Sequence, residues 1–376
     1  MQQHLDLMRK ILEKGHDHSD RTGVGRRSLF GEQIRFNLED GFPLTTTRHI
    51  NTRAIIEELL WFISGSSDNT ELREKNVGIW SKWTVTSENV EEFLQKYNEQ
   101  IHGADKNIGS SEEAETYLRT KVGSVGHMYG EAWRNVPNLM AHALWPNQNL
   151  DDVAEDKLAK VTEEWNALGI FLTNNPSLLD TQQVPTKEEF FQTKLYENVD
   201  QLNDLLINLR DRPYSSRHVV SAWIPQWIPF ETLSPAENVL LEKGALAPCH
   251  TLFQCFVTPP QGNPDTALPK LSMQLYLRSS DVPVGLSFNI AQYAILLTMI
   301  AQVSQMEPYE LIITFGDCHI YLDQIELVKE QLIRQPLPLP TLWVDPMQTS
   351  LYGFDRNQII INNYNYHEAI NYPVAV

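Results

Sequence analysis

One cysteine in a stiff backbone context is the residue of this chain best suited to covalent chemistry. Cys249 lies between Pro248 and His250, and apolar residues that favour strands follow it. Because proline fixes its own φ and disfavours helical backbone in the residue before it, Cys249 should begin a strand in a defined pose. Three interpretations fit: a buried structural thiol, a nucleophile whose thiolate is favoured by nearby cations, or a metal ligand. The spacing of the other Cys and His residues disfavours a metal site.

Two charged side chains occupy positions that are compatible with chemistry. Glu58 stands beside the apolar face of a predicted helix at 52–63, where a carboxylate costs free energy unless it has a partner or a function. Arg21 belongs to the glycine-containing turn at 20–25. That turn is either an ordinary loop or an anion clamp in which Arg21 supplies the guanidinium.

Composition and charge exclude several classes of function. The chain has 376 residues, 42% of them hydrophobic, and a net charge of −18, which argues against a nucleic-acid partner. Three cysteines form no obvious disulfide framework, which indicates a reducing compartment. Residues 1–20 show no signal-peptide pattern, and the longest apolar run, 290–303, is too short to span a bilayer. We therefore expect a cytoplasmic protein without membrane contact, in which residues 290–303 form a core helix.

Hydrophobic periodicity predicts mixed helices and strands, and the length of the chain suits one large domain or two. The predicted helices are 1–14, 52–63, 202–209, one that begins near 288, and 324–334. The predicted strands are 28–36, 218–223, one that begins at Cys249, 271–277 and 311–315. Two acidic stretches, at about 84–122 and 138–199, carry helical patterns at 90–97 and 152–168 and are interpreted as insertions that decorate the core.

Short motifs along the whole chain resemble the thymidylate synthase family. They are RTG at 21–23, GFPL at 41–44, ELLWF at 58–62, IWSKW at 79–83, YG at 129–130, WR at 133–134, SAW at 221–223, APCH at 247–250, RSSD at 278–281, GLSFNI at 285–290, GDCHIY at 316–321 and PVAV at 373–376. They stand in family order, and the two acidic insertions lie outside the pattern. The resemblance implies a single catalytic domain over residues 1–376. It also implies an α/β (α+β) homodimer with a large mixed sheet at the dimer interface and surrounding helices. It further implies transfer of one carbon from 5,10-methylenetetrahydrofolate to C5 of dUMP, without a metal.

The same resemblance implies roles for the catalytic residues. C5 of uracil is a poor nucleophile until a thiolate adds at C6, and that thiolate would be Cys249. A free thiol titrates near pH 8.5, so the cationic Arg278 would favour the reactive form. Glu58 would relay protons through water, with Tyr129 and His250 in the same network.

Ligand-binding residues follow from the resemblance as well. The nucleotide would be bound by Arg21, Arg278, Ser279 and the partner subunit's Arg217 at the phosphate, by His319 and Tyr321 at the ribose, by Asn289 at the base, and by Asp281. An amide pairs with both O4 and N3–H of uracil, whereas related hydroxymethylases that act on cytosine use an aspartate there, so Asn289 indicates dUMP. The folate would be packed and oriented by the C-terminal tail at 374–376 and by residues from several parts of the chain. These residues are Ile79, Trp80, Trp83, Leu246, Asp281, Gly285, Phe288, Val374 and Ala375, the last two belonging to the tail.

Some of these side chains also have a purely structural interpretation. Trp80 and Trp83 would suit a protein core, His319 could cap a strand end, and Asp281 could cap the turn before the buried helix. Taken together and in family order, the motifs favour the functional interpretation.

Departures from the family pattern cluster around the expected ligands. His218 replaces the second arginine of the cross-subunit pair and is expected to weaken phosphate binding and make it pH-sensitive. The other departures are Asn51, Leu277, Pro283, Val284, Ser287, Tyr366 and Glu368. The last three stand where the family has prolines, and the loss of these rigid residues is expected to make the packing of the lining less assured. These departures border the folate side, where control of water decides between two family reactions. We expect hydroxymethylation, giving 5-hydroxymethyl-dUMP as in phages with 5-hydroxymethyluracil DNA, in which case the protein acts in the host cytoplasm. The alternatives are reductive methylation to dTMP with release of dihydrofolate, which Trp80 and the terminal VAV favour, and an inactive nucleotide-binding relative.

Overall fold

The structure is a computed structural model that describes residues 1–19, 23–102, 112–136, 198–262 and 267–374. Arg21, Ala375 and Val376 lie outside the described residues. So does nearly all of the second acidic stretch, including the helix predicted at 152–168.

A mixed sheet of seven strands forms the centre of the described fold. Its strands are β1 (His16–His18), β2 (Arg26–Phe30), β3 (Gln33–Asn37), β4 (Val219–Ser221), β5 (His250–Thr258), β6 (Lys270–Asp281) and β7 (Glu307–Tyr321). The order is β1-β2-β7-β6-β5-β4, and β3 also pairs with β7. The β6–β7 ladder is parallel and the other ladders are antiparallel. The predicted large mixed sheet is thus confirmed.

The strand predicted at 28–36 is wrong in one respect, because the segment forms two strands. β2 pairs with the second half of β7 and β3 with its first half, so that Ser28 faces His319 and Gln33 faces Thr314. Gly31 interrupts them with a φ of +83°, which favours glycine, and its N–H donates to the carbonyl of Gly316. The interruption keeps both short strands on the same long neighbour.

Helices cover the face of the sheet that carries the core. Those described are α1 (Gln2–Lys14), α2 (Thr52–Ser64), α3 (Thr70–Glu74), α4 (Ser87–His102), α5 (Glu112–Arg119), α6 (Tyr129–Arg134), α7 (Gln201–Asp211), α8 (Pro235–Leu240), α9 (Gly285–Val303) and α10 (Ile325–Ile333). A small antiparallel pair, β8 (Thr341–Val344) and β9 (Ile359–Asn362), stands apart from the main sheet. The helix pattern predicted at 90–97 lies within α4.

The central helix α9 is buried along most of its length. By length and composition its 19 residues would suffice to cross a membrane. Its apolar side chains, however, are buried in the core cluster and contact β6, β7 and α2. The expectation of a core helix is therefore met, although the helix begins at Gly285 rather than at the apolar run near residue 290.

Helix α2 places two consecutive carboxylates in different surroundings. Asn51 caps its first turn by accepting from the N–H of Ala54, and Gly65 ends it in the left-handed conformation with a φ of +82°. Both Glu57 and Glu58 are buried. Glu57 pairs with Lys75 at 3.0 Å, whereas Glu58 faces α9.

A charged cluster connects the end of the first acidic stretch to the loop that leads to Cys249. The imidazole of His127 contacts the carboxylates of Glu131 and Glu242 and stacks on Trp227, with ring centroids 4.6 Å apart. Lys121 also pairs with Glu242, at 2.7 Å. Burial alone lowers the pKa of His127, but the hydrogen bonds to the two carboxylates raise it to about 9. The ring is therefore positively charged at neutral pH.

We predict that this cluster stabilises the fold in a pH-dependent way. A histidine whose folded pKa lies above its unfolded value near 6.5 contributes stability that is complete below about pH 6.5 and is lost as the pH rises through about 9. His127→Gln should lower the free energy of unfolding by about 1–2 kcal/mol near pH 6, and the deficit should shrink by about pH 10. Urea denaturation across this range measures the difference. His18→Gln, at an exposed position of β1, is the matched control. A deficit that does not change with pH would contradict the prediction.

Candidate active site

Cys249 directly precedes β5, in agreement with the prediction that it stands at a strand start. Its backbone N–H donates to the hydroxyl oxygen of Tyr129 at 2.9 Å, and its carbonyl accepts from the N–H of Arg278 at 2.9 Å. The guanidinium of Arg278 donates to the carbonyls of Ala247 and Pro248, at 3.2 and 3.3 Å. The loop before the thiol is therefore held by α6 on one side and by β6 on the other.

The three cysteines differ in their surroundings. Cys255 and Cys318 are buried, and burial raises the pKa of each thiol to about 12, which suits structural roles. Cys249 is only partly buried. Burial raises the pKa of its thiol, and the positive charge of Arg278 opposes that rise. Among the three, Cys249 is the accessible thiol that has a cation beside it.

Glu58 is held by hydrogen bonds to both oxygens of its carboxyl group. Trp80 Nε1 donates to Oε1 at 2.8 Å, and Gln292 Nε2 donates to Oε2 at 2.9 Å. Burial raises the pKa of Glu58 to about 7 even though both hydrogen bonds lower it. A carboxyl group with this pKa can both take up and release a proton near neutral pH. Gln292 was not predicted as a site residue. The sequence signal that could have identified it is an amide side chain within an apolar helical run.

Tyr129, His250 and Asn289 form a continuous row beside the thiol. The Tyr129 and His250 rings stack with centroids 4.6 Å apart, and Asn289 Nδ2 lies 2.7 Å from His250 Nε2. Burial lowers the pKa of His250 to about 3 and raises that of Tyr129, so both rings are neutral. The amide therefore donates to an unprotonated Nε2, which puts the imidazole hydrogen on Nδ1.

The ends of β6 and β7 bring together the residues predicted for the phosphate and the ribose. In the parallel ladder Ser279 pairs with Asp317 and Asp281 pairs with His319. The ring of Tyr321, two residues further along β7, lies 5.0 Å from that of His319. These residues therefore lie together at the carboxyl ends of two neighbouring strands, where ligands of α/β proteins usually bind.

Asp281 is connected to the C-terminal segment by a glutamine that sequence reasoning missed. Gln324 Nε2 donates to Asp281 Oδ2 at 3.2 Å and to the carbonyl of Pro373 at 3.0 Å. Burial raises the pKa of Asp281 to about 6, against the lowering effect of that hydrogen bond. Val374, the last described residue, is exposed. The carbonyl of Pro373 therefore ties the described end of the chain to Asp281 through Gln324.

The apolar residues predicted for the folate lie at the border of the core. Ile79, Trp83, Leu246 and Phe288 are half-buried and pack on the core. Trp80 is buried, and its ring centroid lies 5.8 Å from that of Trp83. Gly285 begins α9, and a Cβ added at this position would meet no other group within 4 Å.

The chain does not bring Arg217 to its own thiol. Arg217 is exposed and precedes β4, which pairs with β5 at Gln254, beyond the start of the strand. His218 is buried, and its Nε2 lies 3.0 Å from the carbonyl of Pro213. The ring of His218 is thus enclosed by its own loop, and its effect on phosphate binding stays a prediction.

Most of the other departures have structural partners. Asn51 caps α2, and Ser287 is buried with its hydroxyl 3.2 Å from Thr45 Oγ1 and 3.4 Å from Arg48 Nη2. Tyr366 packs on the ring of His49, and the carbonyl of Glu368 accepts from Arg334. Leu277 is fully buried in β6. Asn51, Ser287 and the backbone at Glu368 are thus held by defined hydrogen bonds.

Taken as a whole, the site places a partly buried thiol beside an arginine and holds a buried carboxyl group whose pKa is about 7, which is a chemistry typical of enzymes. Among the described residues, no group of three or more His, Cys, Asp or Glu side chains could hold a metal ion. The family model for thymidylate synthase matches residues 2–376, and the chain belongs to the thymidylate synthase family. Members of this family transfer one carbon from methylenetetrahydrofolate to dUMP and are generally dimeric.

We predict that the hydroxyl oxygen of Tyr129 holds the loop that leads to Cys249. Tyr129→Phe leaves the N–H of Cys249 without its acceptor, which should lower the free energy of unfolding by about 1–3 kcal/mol. The loosened loop should also let iodoacetamide alkylate Cys249 faster. Urea denaturation and the alkylation rate measure the two effects, and Tyr214→Phe at an exposed position is the control. An unchanged alkylation rate would show that the loop is held in another way.

Proposed function

We propose that this enzyme transfers one carbon from 5,10-methylenetetrahydrofolate to C5 of dUMP and releases 5-hydroxymethyl-dUMP. The observation that carries this choice is the polar contact at the first turn of α9, where the buried hydroxyl of Ser287 meets Thr45 and Arg48. Reductive methylation requires a site that excludes water. A hydrogen-bonded polar shell on the folate side supports the addition of water instead.

Uracil specificity is proposed to reside in Asn289. Its amide already contacts His250 beside Cys249, so it stands within the row of groups that borders the nucleophile. The carbonyl oxygen of an amide can accept from N3–H of uracil while its NH₂ group donates to O4. This support for dUMP does not depend on the fate of the added carbon.

The residues of this chain would divide the chemistry among them. Cys249, favoured as a thiolate by Arg278, would add to C6 of the base and give C5 nucleophilic character. Arg278, Ser279, His319 and Tyr321 would hold the phosphate and ribose in line with the thiol. Glu58 would take up the proton that leaves C5, since the pKa of its carboxyl is raised to about 7 by burial.

The folate would supply the carbon unit at the oxidation level of formaldehyde. We propose that Ile79, Trp83, Leu246 and Phe288 pack against its planar ring system and that Asp281 accepts a hydrogen bond from it. Gly285 leaves room at the start of α9, and Gln324 keeps the tail with Val374 close to Asp281.

Thymidylate synthase activity is the second candidate, and one observation favours it. Trp80 is buried with its indole N–H on Glu58, so its ring can shield the reacting carbon from water. In that case the product would be dTMP and the folate would be oxidised to dihydrofolate.

We predict that the purified protein converts dUMP and methylenetetrahydrofolate to 5-hydroxymethyl-dUMP without forming dihydrofolate. Mass spectrometry of the nucleotide should show the gain of one formaldehyde unit, while the ultraviolet absorbance of dihydrofolate stays absent. Cys249→Ala should form neither 5-hydroxymethyl-dUMP nor dTMP, because the nucleophile is gone. Formation of dihydrofolate and dTMP in equal amounts would contradict the proposal and show that the enzyme is a thymidylate synthase.

We also propose a homodimer in which each phosphate is bound by Arg217 of the partner subunit. Arg217→Ala and Cys249→Ala homodimers should both be inactive or nearly so. After subunit exchange, about half of the dimers should be mixed and half of their sites intact, which restores about one quarter of wild-type activity. Exchange is verified by mass spectrometry of the native dimers. Mixed dimers without activity would place Arg217 outside the phosphate site.

A further inference from the structure

Gln292 lies against the carboxyl group that the proposed function uses, and its own role is unassigned. Its side chain is 1% exposed, within a helix whose neighbouring residues are apolar. A buried primary amide costs free energy unless its polar atoms find partners. The 2.9 Å hydrogen bond from its Nε2 to Glu58 Oε2 satisfies the donor side.

One turn of α9 supplies partners to two residues of the site. Asn289 and Gln292 are three residues apart, so their side chains emerge from the same face of the helix. Asn289 contacts His250, and Gln292 contacts Glu58. Trp80 holds the other oxygen of Glu58, so the carboxyl group is fixed from two directions.

The acceptor side of Gln292 is not satisfied by the protein. Among the described residues, no donor reaches Gln292 Oε1, although this atom is fully buried. An unpaired buried carbonyl oxygen is costly, and an ordered water with several polar partners is the usual solution in proteins. Because this oxygen belongs to an amide that touches Glu58, a water bound to it would lie close to the carboxyl group.

We propose that Gln292 is a positioning residue that fixes Glu58 and holds on its Oε1 the water through which Glu58 receives the C5 proton. The inference rests on the proposed function as far as the substrate is concerned, but it is the same for either product. In both reactions the C5–H bond breaks after the carbon is attached, its electron pair returns to the ring, and the proton leaves to the carboxylate.

The hydrogen bond from Gln292 also shifts the pKa of the Glu58 carboxyl group. Donation from Gln292 favours the ionised form of Glu58 and so lowers its pKa, against the larger opposite effect of burial. Removing the donor should therefore raise the pKa of Glu58 and shrink the fraction of enzyme that can accept a proton at neutral pH. A residue that only filled space would have no such effect.

The test is the release of tritium from [5-³H]dUMP in the presence of methylenetetrahydrofolate, measured as a function of pH. Gln292→Met keeps the length and volume of the side chain and removes both amide groups. We expect kcat to fall about 10- to 100-fold, the KM for dUMP to stay within about threefold, and the acidic limb of the kcat profile to move up by about one pH unit.

A second glutamine of α9 is the matched control. The amide of Gln302 binds the carbonyls of Asp345 and Gln348, away from Glu58. Gln302→Met should therefore leave kcat and the pH profile unchanged. If Gln292→Met does not fold, Gln292→Asn serves, because it keeps the amide but withdraws it from Glu58 by one methylene.

Two failures can be told apart. Tritium release by the wild type, with an acidic limb that does not move in the Gln292 variant, would overturn this inference alone. An equal shift in Gln302→Met would overturn it too. If the wild type released no tritium, the proposed function would fail and the inference with it.

Discussion

The parallel ladder between β6 and β7, with α9 as the connection between the two strands, is the constraint on which the site depends. A parallel pair needs a long crossover, and the crossover here is the buried helix that carries Asn289 and Gln292. The ladder sets Asp281 beside His319, and the N–H of Arg278 holds the carbonyl of Cys249. The thiol, the groups predicted for ribose and phosphate, and the partners of His250 and Glu58 thus derive their positions from one β-α-β unit.

Burial shapes the electrostatics that this unit creates. It raises the pKa of Glu58, Asp281 and the Cys249 thiol and lowers that of His250, so each group is shifted toward its neutral form. Hydrogen bonds from Trp80 and Gln292 and the charge of Arg278 offset part of this effect. The result is a carboxyl group whose pKa is about 7 and a thiol whose pKa is lowered by the charge of Arg278 against the effect of burial. Such balance is typical of groups that exchange protons during a reaction.

Sequence reasoning reached the family, the mixed sheet and the position of Cys249 because these follow from motifs and local backbone rules. It placed Tyr129 and His250 in one network, and the structure brings their rings together. It did not find Gln292 or Gln324, whose roles depend on contacts with residues more than forty positions away. It did not foresee the burial of the His218 ring by its own loop, which follows from packing rather than from residue type. Local patterns define elements, whereas partners across the fold decide what a polar side chain does.

The departures from the family pattern gain a different meaning once their partners are known. The loss of prolines at 287, 366 and 368 suggested a looser lining, yet Ser287 and Tyr366 make defined contacts and the chain at Glu368 is held by Arg334. Loose packing of these residues is therefore not the feature that would admit water. The serine at position 287 instead adds polarity, because its buried hydroxyl stands where the family has the apolar ring of a proline. A fixed water beside Glu58 would serve either reaction, so the choice between the two turns on which polar atoms face the reacting carbon, with Trp80 as the opposing apolar shield.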